Sequence, residues 1–263
     1  MAADRAGPVQ RVGTLYLVPN TLDFGVAATP PDLQEVLPLG VVRTAARLGH
    51  WVAENARSTR AFLKRVAEVV PLAQPLQAVS IVELPRAPKG GARGGAPADL
   101  AGLLAPALEG HDMGLISEAG LPAVADPGAL LVQAAHRQGV PVVALPGPSS
   151  LLLALAGSGL NGQSFAFVGY LPVEAAERAA RIRELEALSR RAAQTQLMIE
   201  TPYRNAALWG ALVATLQPAT ALAVSCGLTL EGGFSRSDNV AGWRSRPLQL
   251  PADIPAVFSL LAR

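Results

Sequence analysis

Several residue types are scarce in this chain, and each scarcity removes a class of explanation. Among 263 residues there is one cysteine, Cys226, so no intrachain disulfide can form. It lies in an apolar run, where a small buried side chain is a better reading than a nucleophile. The three histidines, His50, His111 and His136, stand apart, with no second histidine or cysteine at ligand spacing. No metal site is therefore expected, and no Gly-x-Ser-x-Gly elbow of a hydrolase is present. Long apolar runs are missing too. Segments such as 151–156 fall far short of the ~18–20 residues of a membrane helix. The first residues, Met-Ala-Ala-Asp-Arg-Ala-Gly-Pro, hold no apolar signal core. A cytoplasmic protein with no membrane association is expected. Charged residues are only 16% of the chain and hydrophobic ones 50%, which argues against disorder.

What is present is a pair of polar turns at strand ends. Ser117-Glu118-Ala119-Gly120-Leu121-Pro122-Ala123-Val124-Ala125-Asp126-Pro127-Gly128 follows the apolar run 113–116. Pro146-Gly147-Pro148-Ser149-Ser150 follows the run 140–145. Each turn then opens a segment with helical character. Such turns form a ligand-binding edge in an open α/β sheet. Backbone N–H groups there have no intrahelical partner and can receive a polar or anionic group. Asp126-Pro127 reads as a helix start, with Asp as N-cap and Pro at the first helical position. Ser149 or Ser150 can likewise cap 151–156.

The rest of the chain alternates strand and helix. Residues 15–18, 51–53, 165–168, 196–199, 221–225 and 256–261 read as strands. Residues 33–48 (interrupted at Pro38 and Gly40), 58–66, 129–137, 173–191 and 205–216 read as helices. Residues 85–97, rich in glycine and proline, read as a mobile loop, after which Asp99 can cap a helix over 100–108. Two α/β domains in series are expected: an N-terminal one over residues 12–157 and a C-terminal one over 163–263. Gly157-Ser158-Gly159-Leu160-Asn161-Gly162 matches the dinucleotide pattern literally. It follows a helix and precedes a strand, the reverse of what that fingerprint needs. A linker between domains is the better reading, so a nucleotide-dependent oxidoreductase is disfavoured. Between residues 36 and 65 stand six bases (Arg43, Arg47, Arg57, Arg60, Lys64, Arg65) and one acid, Glu54. Such a run is either a solvated helix face or a phosphate-binding surface.

These motifs, in this order, resemble the tetrapyrrole methylase superfamily of S-adenosylmethionine-dependent methyltransferases. Further marks are Gly13-Thr14-Leu15-Tyr16-Leu17-Val18, Glu54-Asn55-Ala56-Arg57-Ser58-Thr59-Arg60, Gly169-Tyr170-Leu171-Pro172 and Glu200-Thr201-Pro202-Tyr203-Arg204. Within the superfamily the chain is similar to the branch that holds the bacterial small-subunit ribosomal RNA ribose 2'-O-methyltransferase. The resemblance implies the tetrapyrrole methylase fold, with S-adenosyl-L-methionine in a cleft between the two domains. It implies cofactor contacts from Pro19, Ser117, Gly120, Ala123, Val124, Asp126, Ser149, Ser150, Glu200, Pro255 and Ala256. Candidate catalytic residues are the carboxylates Glu54 and Glu118, with Arg57 as an anchor for an acidic group. It also implies a homodimer, with RNA or a ribosomal subunit as partner.

The chain departs from that branch in its substrate half. Asn55 and Ala56 replace an Asp and a Thr, and Leu230 replaces a Lys. A sister group with the same cofactor is therefore expected. Its acceptor is RNA, with a tetrapyrrole or another small molecule as the enzymatic alternative. A non-catalytic RNA- or ribosome-binding paralogue is the alternative outside enzymes.

Overall fold

The computed structural model describes residues 11–23, 31–85 and 100–263. The expected loop at 85–97, beyond Pro85, and the expected cap Asp99 lie outside these residues. The chain forms two units. One holds the chain up to Thr21 and Asp32–Pro148; the other holds Ser149–Arg263 together with Leu22 and Asp23.

The first unit is built on a parallel sheet of β1 (Leu15–Leu17), β2 (His50–Ala53), β3 (Ser80–Glu83), β4 (Met113–Ile116) and β5 (Val142–Ala144), in the order β3-β2-β4-β1-β5. Parallel neighbours need crossover connections, which cover both faces and make the strands apolar throughout. β4 is buried at every position. Helices α1 (Leu33–Val36) and α2 (Leu39–Arg47) are separate because Pro38 is the N-cap of α2. They are followed by α3 (Ala56–Val69), α4 (Ala105–Leu108) and α5 (Ala129–Arg137). On one face Val42 of α2 and Phe62, Leu63 and Val66 of α3 pack with Trp51. On the other, Ala107, Leu131 and Ala135 pack with Leu15, Val52 and Leu115.

The second unit carries a mixed sheet of β6 (Phe165–Phe167), β7 (Thr195–Glu200), β8 (Ala221–Cys226), β9 (Phe234–Asn239) and β10 (Ala256–Leu261). Their order is β6-β7-β10-β8-β9. β6 and β7 are parallel and the other neighbours antiparallel. Helices α7 (Ala175–Ala192), α8 (Asn205–Thr215) and α9 (Val240–Ser245) supply Ile182, Leu185, Leu208, Leu212 and Trp243 to one core. Helix α6 (Ser150–Ser158) covers the other face. No helix among the described residues is long and apolar enough to cross a membrane.

Three expectations need correction. The domain boundary was expected after the 151–156 helix, but the division falls before it, between Pro148 and Ser149. The reason is packing: Leu151, Ala154 and Leu155 bury themselves against Leu197 of β7 and Val257 of β10. Asp126 is not the N-cap of α5. Gly128 holds that position at φ 128°, without a side-chain cap bond. Strands β3 and β9 were not expected at all. The Gly157 motif is not the expected linker between domains: Gly157 and Ser158 end α6, Gly159 is its left-handed C-cap, and the motif lies wholly within the second unit.

In the first sheet Gly114 lies beside Trp51, and a Cβ there would come within 2.5 Å of the indole. Both neighbours are strand residues that cannot move aside. Gly114→Ala is therefore expected to destabilise the protein by about 1–3 kcal/mol through overpacking. A denaturant midpoint equal to the wild type would contradict this.

Candidate active site

The expected site residues fall into two groups, one on each unit. In the first unit they occupy the loops at the carboxyl ends of β1, β2 and β4. The chain leaves β1 towards one edge of the sheet and leaves β4 towards the other, the kind of switch point where open α/β sheets bind ligands.

Hydrogen bonds tie these loops together. The Asn20 amide donates to the carbonyls of Ser117 (3.2 Å) and Glu118 (3.0 Å). Asn20 and Gly120 also exchange backbone bonds in an isolated antiparallel bridge. The Glu54 carboxylate accepts the Glu118 N–H (3.0 Å), and Glu54 N–H donates to Ile116. Asn55 caps α3 by accepting the N–H groups of Arg57 and Ser58, while its own amide donates to Glu118 (3.0 Å). A carboxylate at position 55 would cap the helix equally well but would face Glu118 as a like charge. The asparagine thus has a local rationale. Asn20 was missed from sequence because a lone asparagine after a strand carries no motif.

The turn itself is strained. Ala123 and Ala125 have φ of 66° and 62°, a conformation that costs an L-residue about 1–2 kcal/mol. Its N–H groups are used inside the unit: Gly120 donates to Asn20 and Thr21, Ala123 to Pro127, and Val124 to Leu121. The expectation of free donors at these three positions is therefore revised, because the loop-to-loop ties consume them. Val124 is exposed, whereas Pro19 is buried against Gly147, where a Cβ would approach its ring to 2.3 Å.

Three carboxylates interact here. Asp126 is pushed up to about 7, first by burial and then by the charge of Glu54, against a lowering hydrogen bond from Ser117; Glu118 raises it further. Arg57 is exposed in the first turn of α3 and makes no ion pair with a described carboxylate.

In the second unit Ser150, Glu200, Pro255 and Ala256 converge on one cavity of about 330 Å³. It lies where β7 ends and β10 begins, with Ile199 and Val257 in its apolar wall and Ser225 of β8 beside them. Ser149 is the buried N-cap residue of α6 without a side-chain cap bond, and Ser150 reaches the cavity. The Glu200 carboxylate lines the cavity but is occupied: Thr201 donates to one oxygen and Arg204 pairs with the other. Sequence reasoning missed Asp253 and Leu228. Both sit in loops that only non-local pairing brings to the cavity.

This fold is the tetrapyrrole methylase fold. The crystal structure of the methyltransferase CobJ is similar over 95% of this chain and 94% of its own, with a TM-score of 0.52 at 14% identity. The native form of uroporphyrin III C-methyl transferase from Thermus thermophilus matches over 95% and 97%, with a TM-score of 0.52 at 19% identity. No protein-family model matches the chain.

By sequence, the chain is related to proteins named ribosomal RNA small subunit methyltransferase I. The one from Micromonospora olivasterospora is 35% identical over 214 residues, 81% of this chain and 58% of that protein. The one from Halalkalibacterium halodurans is 30% identical over 192 residues, 73% of this chain and 56% of that protein. The match thus takes in little more than half the length of either relative.

The Asp126 carboxyl carries a pH signature. Its folded value of about 7 lies above the unfolded value of about 4. Its contribution to stability is therefore fully present below pH ~4 and lost as pH rises through about 7. Asp126→Asn is expected to flatten stability across that window, as read by thermal melts at several pH values. An unchanged profile would remove Asp126 as the titrating group.

Proposed function

We propose that the protein is an S-adenosylmethionine-dependent methyltransferase whose acceptor is RNA, at a ribose hydroxyl of ribosomal RNA or of a related target. The observation that carries this reading is the cavity at the β7 and β10 ends. Four residues that the sequence resemblance tied to the cofactor, from three well-separated stretches of the chain, line it together. Its chemistry suits the cofactor: apolar walls for a flat heterocycle, with hydroxyls and a carboxylate for the polar remainder. When bound, S-adenosylmethionine supplies an electrophilic methyl group on a sulfonium centre.

The chain's own residues then have two tasks. The first is to hold donor and acceptor in line and to exclude water, for which the apolar wall of Ile199, Leu228 and Val257 serves. The second is to take the proton of the acceptor hydroxyl. Glu54 and Glu118 are candidate acceptors of that proton, and burial, followed by their charges, leaves Asp126 titrating near neutrality. Asp126 joins them as the carboxylate best suited to that transfer.

The RNA reading is supported by the relatives' names and by α3. Arg57, Arg60 and Lys64 lie on one exposed stripe, and no described carboxylate pairs with them. Arg65 instead donates to the Thr21 hydroxyl. The test is transfer of a labelled methyl group into fractionated cell extract, scoring RNA, protein and small molecules separately. Label is expected in RNA. The double variant Arg60→Ala, Lys64→Ala is expected to reduce the salt slope of RNA binding by about 1.4–1.8, because two phosphate contacts are lost. Label in a small molecule, or a slope equal to the wild type, would reject RNA or this face.

We also propose a cytoplasmic homodimer. The outer strand β6 exposes Phe165 and Phe167, apolar surface that a second copy can cover. Light scattering at micromolar concentration is expected to give twice the chain mass; a monomer would reject the dimer.

A further inference from the structure

The cavity of the second unit holds one charge that the protein does not balance. Three of its other polar side chains are engaged within the protein. Glu200 accepts from Thr201 and is paired with Arg204. The hydroxyl of Ser225 faces that of Ser235 at 2.8 Å, and the hydroxyl of Thr201 bonds to Glu200. Asp253 lines the same cavity, and among the described residues no hydrogen-bond donor and no cation meets its carboxylate.

Asp253 is nonetheless held in place. The carbonyl of the next residue, Ile254, accepts a 2.9 Å bond from the fully buried Asn205, and the Ile254 side chain packs into the core of the unit. One residue further on, the carbonyl of Pro255 accepts the Gly227 N–H at 3.0 Å. Exposed at the edge of a largely apolar cavity, the Asp253 carboxylate offers a neutral ligand group no charge attraction. A cationic group is favoured there, and low-dielectric walls strengthen the attraction.

We propose that Asp253 is the residue with which this cavity recognises positive charge on its ligand; the proposal rests on the S-adenosylmethionine reading. That ligand carries two cations, the sulfonium and the amino-acid ammonium. Three ligands separate them. S-adenosylmethionine has both, S-adenosylhomocysteine keeps only the ammonium, and 5'-methylthioadenosine has neither.

The experiment is calorimetric titration of the full chain and of Asp253→Asn with all three. Asp253 is exposed and makes no hydrogen bond with a described residue, so the variant should keep the wild-type melting temperature. Recognition of the sulfonium predicts that the variant loses about five- to tenfold affinity for S-adenosylmethionine alone. Recognition of the ammonium predicts that loss for both S-adenosylmethionine and S-adenosylhomocysteine, with methylthioadenosine unchanged. Equal loss for all three ligands, or loss for none, overturns the role of Asp253 while leaving the cofactor reading intact. If the wild type binds none of the three, the cofactor reading itself fails, and this inference with it.

Discussion

The second unit depends on its last strand lying in the middle of its sheet. β10 pairs antiparallel with β7 on one side and β8 on the other. Without it, β6-β7 and β8-β9 would be two separate strand pairs, each too small to hold a core. The strand's two-residue period then serves both faces. Ala256, Phe258 and Leu260 enter the core under α7, α8 and α9, while Val257 meets α6. Its first residues also form a wall of the cavity. The candidate binding surface is therefore an outgrowth of the pairing that closes the unit.

In the first unit the sheet is secured by apolar packing, but its functional edge is secured by polar side chains. Asn20, Glu54 and Asn55 join the loops after β1, β2 and β4 through bonds that cross long stretches of chain. Only the Asn20 tie to Ser117 is buried; the bonds of Glu54 and Asn55 to Glu118 lie at the exposed end of the loops. The ties gather carboxylates at the loop ends, and the cost of that crowding falls on Asp126.

Much of this was legible in sequence where the signal is local. The runs at 113–116 and 256–261 coincide with β4 and β10, because buried strands are apolar throughout. Strands β3 and β9 escaped because they lie at sheet edges and carry mostly exposed side chains, such as Ser80 and Arg236. Their pairing is a backbone matter that leaves no hydrophobic pattern. The helix 150–158 was legible as a helix but not as part of the second unit, since which sheet an apolar face meets is decided at a distance. Ser150, Glu200, Pro255 and Ala256 were found through motif resemblance. Asp253 carries no motif, and its place beside the cavity follows from the bond between Asn205 and Ile254.

The tryptophans are distributed so that each unit carries its own optical reporter. Trp51 is buried in the first unit with Phe62 at its edge, 6.4 Å between ring centroids. Trp209 and Trp243 meet edge to face at 5.0 Å in the second. All three indoles are shielded from water, so folded emission lies to the blue and loss of either core moves it to the red. The close pair in the second unit can also exchange excitation, which the solitary Trp51 cannot do with a neighbour of its own unit. A chain stripped of one set or the other would let the two units be watched unfolding independently, with no added label.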